Sequence, residues 1–247
     1  MGPIFRIGFW EILRDIFFPE RCLSCSKGLQ GRRTVSFCSA CHEDIRIIRE
    51  PYCTVCGKPF IKSAGGNHLC GYCIKKSWNF SRARAAVYYE GPIAEAVRIF
   101  KYNGKMYGLD TFTALIPGNT LKSISQESDL IVPVPVHPKR LRKRGFNQAL
   151  VLARKFFPES RNKIDPHVLE RCQWTMSQAG LSGAERRGNV RNAFRVLQRE
   201  KIKNKKILLV DDVFTTGATV NECARILKKN QAAEIEVFTF ARSVFRN

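Results

Sequence analysis

From residue 83 onward, short apolar runs alternate with stretches whose apolar residues recur at helical spacing. "ARAAVYY" (83–89) predicts a strand, and "PIAEAVRIFKYNG" (92–104) an amphipathic helix stopped at Gly104. "DLIVPVPV" (129–136) predicts a short apolar strand ended by prolines, "NQALVLARKFF" (147–157) a helix and "HVLERC" (167–172) a further strand. "SGAERRGNVRNAF" (182–194) reads as a polar helical segment. "KKILLVDDV" (205–213) has the unbroken apolar run of a strand covered on both faces of a parallel sheet. Val220, Cys223, Ala224 and Leu227 fall at i, i+3, i+4 and i+7, the core face of a helix, and "EIEVFTFA" (234–241) gives a last strand. Repeated strand, helix and strand predict an α/β fold built on an open, mostly parallel sheet.

Before residue 80 that rhythm is absent and cysteines take its place. Eight of the ten form four Cys-x2-Cys pairs, Cys22/Cys25, Cys38/Cys41, Cys53/Cys56 and Cys70/Cys73. A two-residue gap lets both thiolates of a knuckle turn onto one ion, and two pairs complete a tetrahedral four-thiolate site. The pairs are close enough for each consecutive couple to close a ribbon, so two structural Zn2+ sites are expected. Sequential pairing is the simpler arrangement, and spacing alone leaves crossed pairing open. Disulfides are the competing explanation, and nothing in the chain marks the oxidising compartment they need. His42 and His68 flank the knuckles and, with eight thiols available, read as bystanders. Closed four-thiolate sites hold no open position, so no zinc catalysis is expected. The resulting division is a zinc module over 1–80 and an α/β domain over 81–247.

Length and composition fit this plan: 247 residues, 44% hydrophobic, with 17 phenylalanines, fill one substantial core and a small second module. The apolar N-terminus "MGPIFRIGFWEILRDIFFPERC" (1–22) is broken by Glu11, Arg14 and Asp15, too early for a signal peptide or a membrane span. It reads as a helix docked on its own domain, with a membrane-surface helix as the alternative, and the expected location is cytoplasmic. Net charge is +21, and between positions 131 and 206 there are 19 Lys and Arg against five Asp and Glu. An imbalance of that size favours a polyanionic ligand, phosphates or nucleic acid.

"ILLVDDVFTTGATV" (207–220) carries the candidate chemistry. A strand emerging at Val210 feeds a loop, Asp211 to Thr219, that opens the next helix, and ligands of open α/β sheets bind at such edges. Gly217 and Ala218 allow close backbone approach to an anion, and Thr215, Thr216 and Thr219 add hydroxyl donors, so this half is a phosphate cradle. Asp211 and Asp212 would repel a phosphate they faced. The same ligand must therefore present donors or a cation one group further along, and a ribose diol with Mg2+ nearby meets that need. An apolar strand ending in Asp-Asp also suits a nucleoside triphosphatase, but no G-x-x-x-x-G-K-[ST] phosphate loop occurs in the chain.

"ILLVDDVFTTGAT" resembles the phosphoribosyl-pyrophosphate (PRPP) signature of type I phosphoribosyltransferases. Together with the four cysteine pairs, "IVPVPVHPKRLRKRGFNQA" and "AERRGNVRNAF", it is similar to the ComF family of competence proteins over nearly the whole chain. The resemblance implies a double zinc ribbon ahead of a phosphoribosyltransferase-like domain. It also implies a role in natural transformation, assisting entry of single-stranded DNA beside a helicase-like ATPase, which leaves association with the inner membrane face open. By the same resemblance, Asp211 and Asp212 contact ribose hydroxyls and Thr215 to Thr219 hold the 5′-phosphate. The turn after the strand with Pro133 and Pro135 is the pyrophosphate side, with Arg140, Arg144, Asn147 and Gln148 as candidates, a solvated turn with helix capping being their alternative role. "ERCQWTMSQAGL" (170–181) matches the mobile loop that closes over PRPP, with Arg171 and Thr175 as its matching residues. Ser177-Gln178 stands where the family has Pro-Gln.

Two functions follow from the resemblance. In the first, a DNA-uptake adaptor holds single-stranded DNA on Lys139, Arg142, Lys143, Arg144, Arg186 and Arg187, with Phe146 and Phe194 as stacking rings or as buried core. In the second, a phosphoribosyltransferase of nucleotide salvage displaces magnesium-bound pyrophosphate at the anomeric carbon, with Asp211, Asp212, Arg171 and Thr175 at the centre. No element that selects the accepting base is recognisable; the zinc module and segment 83–120 are expected to cover that side. Cys223 reads as structural, and Cys172 has no evident partner.

Overall fold

The computed structural model describes residues 20–29, 35–60, 65–103, 108–174 and 190–244. The expected N-terminal docking helix, Thr175, Ser177, Gln178, Arg186 and Arg187 lie outside the described residues, apart from the last few positions of the N-terminal stretch. The described strands are β1 (Arg82–Tyr88), β2 (Leu130–Pro133), β3 (Leu169–Arg171), β4 (Phe194–Val196), β5 (Lys206–Phe214) and β6 (Glu234–Arg242). Four of them form one parallel sheet in the order β1-β6-β5-β2, while β3 and β4 pair antiparallel.

The period of two along β5 separates the two cores. Leu208 and Val210 face the side covered by α3 (Gly91–Asn103), α4 (Leu109–Ala114) and α7 (Gln148–Phe156), where Val97, Phe100, Phe112, Leu152 and Phe156 meet Phe238 and Phe240. Ile207 and Leu209 face α8 (Ala218–Lys229), whose Val220, Cys223, Ala224 and Leu227 form the expected core stripe, and the β3–β4 pair closes that side with Phe194. The chain leaves β2 for one face and β5 for the other, so a crevice opens between their carboxyl ends.

Among the described residues the short helices went unread, α4 with its six residues and two others further along the chain among them. The helices α5 (Thr120–Gln126) and α6 (Pro138–Arg144) run seven residues each. The sequence PKRLRKR of α6 has one apolar residue besides its proline, the exposed Leu141, and is marked by its ends instead. His137 accepts from the Lys139 N–H, Pro138 opens the first turn and Gly145 closes the last at φ +81°.

Three expectations are corrected. The strand at 129–136 stops at Pro133. The tail of the supposed helix 182–194 is not helical: Asn192 takes φ +57° and Phe194 opens β4. The central strand does not end at Val210 but runs through both aspartates to Phe214, because β6 continues the ladder to Val213–Ala241 and Phe214–Arg242.

The cysteine region is one unit built twice. Each copy opens with a knuckle, in which the Cys22 N–H donates to the Lys27 carbonyl and the Cys53 N–H to the Lys58 carbonyl, both at 2.8 Å. Each ends in a one-turn helix, α1 (Ser39–Glu43) or α2 (Gly71–Lys75), started by Cys38 or Cys70. The unit lies along β1. The Ile48 N–H donates to the Ala86 carbonyl, the Tyr88 N–H to that of Arg46 and the Ala83 N–H to that of Val55, which covers an otherwise open sheet edge.

Candidate ribose-phosphate site and metal centres

Three residues, Thr215, Thr216 and Gly217, turn the chain from β5 into α8. Gly217 sits at φ +72°, and a Cβ there would lie 2.4 Å from Phe214 Cζ and 2.9 Å from Trp78 Cη2, so both conformation and space require glycine. The first turn of α8 presents N–H groups that have no carbonyl within the helix, a ready seat for an oxyanion. Thr216 Oγ1 accepts the Ala218 N–H at a long 3.4 Å. Half-buried Thr215 and Thr219 line the cavity at this seat, whereas Thr216, also half-buried, does not.

The seat opens into a cavity of about 410 Å3 at the carboxyl ends of β2 and β5. Asp211 and Asp212 line it, Asp212 being 9% exposed. The two acids leave β5 in successive positions and meet different partners. Asp212 Oδ2 pairs with Lys101 Nζ at 2.9 Å, and the Asp211 carboxylate accepts the Asp212 N–H at 2.9 Å. Burial and then the neighbouring Asp212 raise the Asp211 pKa to about 7, against the pull of Lys101 and Arg171. Burial, the largest single influence, would lower the Lys101 pKa, but the charge and hydrogen bond of Asp212 together with the Asp211 and Tyr89 charges outweigh it and the value rises.

The opposite wall is cationic. Arg140, Arg144, Gln148 and Arg171 line the cavity, and Arg171 is only 5% exposed. Burial pulls both Arg140 and Arg171 below the usual guanidinium pKa, with Arg144 adding to the effect on Arg140 and Arg140 to that on Arg171. An anion between them would relieve that repulsion. Gln148 accepts from Arg144 Nη1 at 3.1 Å, while its buried Nε2 donor has no partner among the described residues. Asn147 also lines the wall, but its side chain caps α7 through the Ala149 N–H and donates to the Val134 carbonyl, a structural task. Pro133 and Pro135 are buried beside it.

Sequence reasoning missed the third wall. Tyr89, Arg98, Lys101 and Tyr102 reach the cavity from the end of β1 and from α3, within the segment expected to cover this side. The helical period of "RIFKYNG" identified Val97 and Phe100 as core, but which polar positions faced an acid pair over a hundred residues away was not encoded locally.

On the outer surface, Lys139, Arg142 and Lys143 are exposed on α6, and among the described residues no carboxylate pairs with them. Of the suggested stacking rings, Phe194 is core at 3% exposed, and Phe146 is partly buried and packs 5.5 Å from Phe100. Exposed rings near these cations are Trp174, edge-on to His137 at 5.2 Å with Lys139 and Arg140 within 6 Å of its ring, and Tyr102, with Arg144 at 5.2 Å. Cys223 is fully buried, and Cys172 is exposed with its thiol directed at the Ala193 carbonyl.

The eight ribbon cysteines gather in sequence order, Cys22/Cys25/Cys38/Cys41 and Cys53/Cys56/Cys70/Cys73, with all sulfurs of a set within 4.8 Å of one another. Cys25 and Cys38 sulfurs are 3.7 Å apart, Cys56 and Cys70 sulfurs 3.8 Å. A tetrahedron with zinc–sulfur bonds of about 2.3 Å has edges of roughly 3.8 Å, so both sets fit Zn2+. Both are structural zinc sites. His42 and His68 join neither set; His68 stacks on Phe60 at 4.0 Å.

Family models agree with this layout. One described as a double zinc ribbon domain matches residues 13–74, and one described as a phosphoribosyl transferase domain matches residues 143–244. Competence protein F of Haemophilus influenzae is 30% identical over 92% of this chain and 99% of its own length. DNA utilization protein YhgH of Escherichia coli K12 is 30% identical over 84% of this chain and 90% of its own. Competence protein ComFC of Bacillus subtilis is 27% identical over 83% and 84%. Among the described residues no helix is long and apolar enough to cross a membrane. Cysteine tetrads, parallel sheet, carboxyl-edge cavity and end-to-end similarity converge: the chain belongs to the ComF family of competence proteins, with a double zinc ribbon joined to a phosphoribosyltransferase domain.

Proposed function

We propose that the chain binds PRPP or a related ribose 5-phosphate in the carboxyl-edge cavity and assists the handling of single-stranded DNA during natural transformation. The observation that carries the ligand is the opposition of an acid pair to a helix N-terminus within one cavity. The 5′-phosphate sits on the turn Thr215–Thr219, with the first N–H groups of α8 as donors. Asp211 and Asp212 accept from the ribose hydroxyls, and Asp211, with its raised pKa, can also donate when protonated. Arg140, Arg144, Arg171 and the free Gln148 amide receive the pyrophosphate. With Mg2+ bound alongside PRPP, held near Asp211 and Asp212, the metal would supply charge stabilisation at the pyrophosphate leaving group. Thr175 belongs to this ligand reading by resemblance, while Arg186 and Arg187 belong to the single-stranded DNA reading.

The relatives named for competence and DNA utilization support the DNA half, as does the cationic surface of α6, where Lys139, Arg142 and Lys143 have no carboxylate partner among the described residues, beside exposed Trp174. A helicase-like ATPase at the inner membrane face is the partner such a role implies, and the cytoplasm is its location. The second reading, a phosphoribosyltransferase of salvage, is favoured by the wall of Tyr89, Arg98 and Tyr102, where an acceptor base could stand against the anomeric carbon. There the acceptor nitrogen bonds to that carbon as the C–O bond to pyrophosphate breaks.

Calorimetry with PRPP and Mg2+ tests the shared premise. Wild type is expected to bind, and Asp212→Asn to bind at least about ten-fold more weakly, the loss of roughly 1.4 kcal/mol. No heat with wild type overturns the pocket assignment. Pyrophosphate release with a panel of nucleobases then separates turnover from binding.

A further inference from the structure

We propose that Trp78 and Arg242 are positioning residues through which zinc in the second tetrad sets the phosphate turn, so that Zn2+ at Cys53/Cys56/Cys70/Cys73 and ribose phosphate at Thr215–Thr219 bind cooperatively. This deepens the ligand reading above and rests on it. Trp78 touches sulfur and the turn, and Arg242 touches sulfur and Phe214, the residue that leads into the turn. Trp78 donates its indole N–H to Cys73 Sγ at 3.2 Å, and its ring stands so close to Gly217 that a Cβ there would meet it at 2.9 Å. The same ring lies 4.9 Å from Phe80 and 6.0 Å from Phe214. Arg242, 7% exposed, donates to the Cys56 carbonyl at 2.6 Å and approaches Cys56 Sγ at 3.6 Å, while its guanidinium lies 4.3 Å from the centre of the Phe214 ring. Phe214 is the last residue of β5, and its ring is what a side chain at Gly217 would strike first. Asn79, next to Trp78, donates from its backbone and side-chain nitrogens to Asn221 in the first turn of α8.

Charge makes the link directional. Among the described residues Arg242 has no carboxylate partner, and a buried guanidinium without a counter-charge is costly. Four thiolates on one Zn2+ carry net −2 and supply that counter-charge. Without the metal the four sulfurs are no longer drawn to one point, so the anchors of Trp78 at Cys73 and of Arg242 at Cys56 loosen. Phe214 and the Gly217 turn are then without the two groups that hold them. The first tetrad has no such route: it packs toward α4, where the Ser36 N–H donates to Thr111 Oγ1 and Leu23 abuts Gly108. Among the described residues no hydrogen bond or ring contact joins it to the turn.

Linkage requires that if zinc tightens ribose phosphate, ribose phosphate tightens zinc by the same factor. The test uses the full chain with two zinc ions, challenged by graded chelator with and without saturating ribose 5-phosphate. Cysteine alkylation read by peptide mass assigns each ion released to its tetrad, and calorimetry on the same sample reports ribose 5-phosphate binding. The second tetrad is expected to resist chelator by about five-fold or more when ligand is bound, and the first by none. Trp78→Phe keeps the ring but removes the N–H···S bond, and is expected to keep both ions while its protection falls toward one-fold. Arg242→Lys serves the same purpose should Trp78→Phe fail to hold two ions. Ribose 5-phosphate binding with no change at the second tetrad, or equal protection of both, overturns the coupling. Absence of binding heat overturns the pocket reading itself.

Discussion

Asp211 is the residue whose environment works hardest against its usual chemistry. Burial and the adjacent Asp212 raise its pKa from 3.8 to about 7. A carboxyl with a raised folded-state pKa contributes most below its unfolded value; that contribution fades as pH climbs from about 4 to about 7 and is gone above it. Asp211→Asn removes the titration, so the variant should gain stability relative to wild type over that window. The expected gain at pH 8 over pH 4 is on the order of 2 kcal/mol, or several degrees in Tm, read by thermal melts at both pH values. A difference that stays flat with pH would mean that Lys101 and Arg171 already hold Asp211 ionised. The importance of both acids was legible in the sequence, because adjacent carboxylates before a threonine-glycine turn are an unusual juxtaposition. Lys101 was not, since its pairing with Asp212 depends on how α3 crosses the sheet.

At the scale of elements, periodicity found the long helices that bury an apolar stripe and missed the short ones, including α4, which buries only Leu109 and Phe112 as apolar residues. α7 and α8 were read within a residue or two, whereas α6, with one exposed leucine among cations, shows only its caps. β5 was cut short because aspartates are poor strand formers, yet the ladder with β6 carries both to the cavity. What sets α6 apart is electrostatic. Its exposed Lys139, Arg142 and Lys143 have no carboxylate partners among the described residues, a face suited to a phosphate backbone. Reversing Arg142 and Lys143 to Glu should weaken binding of an oligothymidine strand several-fold. The slope of log affinity against log salt should become shallower by about 0.7 for each phosphate that is no longer neutralised. Ribose 5-phosphate binding should be unchanged, since neither side chain lines the cavity. Fluorescence anisotropy across a salt series reads both affinity and slope, and an unaltered slope would move the DNA surface elsewhere.

On the whole-molecule scale, cysteine spacing announced where the zinc region ends, but not how far it is built into the rest. Leu23, Leu29 and Phe37 of the first ribbon share a core with Phe100, Phe112 and Leu152 of the α/β part, and residues 46–48 and 55 pair with β1. Such interlocking cannot be read from spacing, because the contacts join positions far apart in the chain. It has a consequence for cooperativity: a module attached by a linker melts by itself, whereas one that shares core and sheet edge melts with its host. Cys25→Ser tests this, since Cys25 is an exposed ligand of the first tetrad and its replacement disturbs packing little while releasing one ion. The variant should carry one zinc per chain and melt in a single transition lowered by about 10 °C, the equivalent of roughly 3 kcal/mol in a chain this size. Two separated transitions, with the upper one at the wild-type Tm, would show instead that the α/β sheet stands without its ribbon.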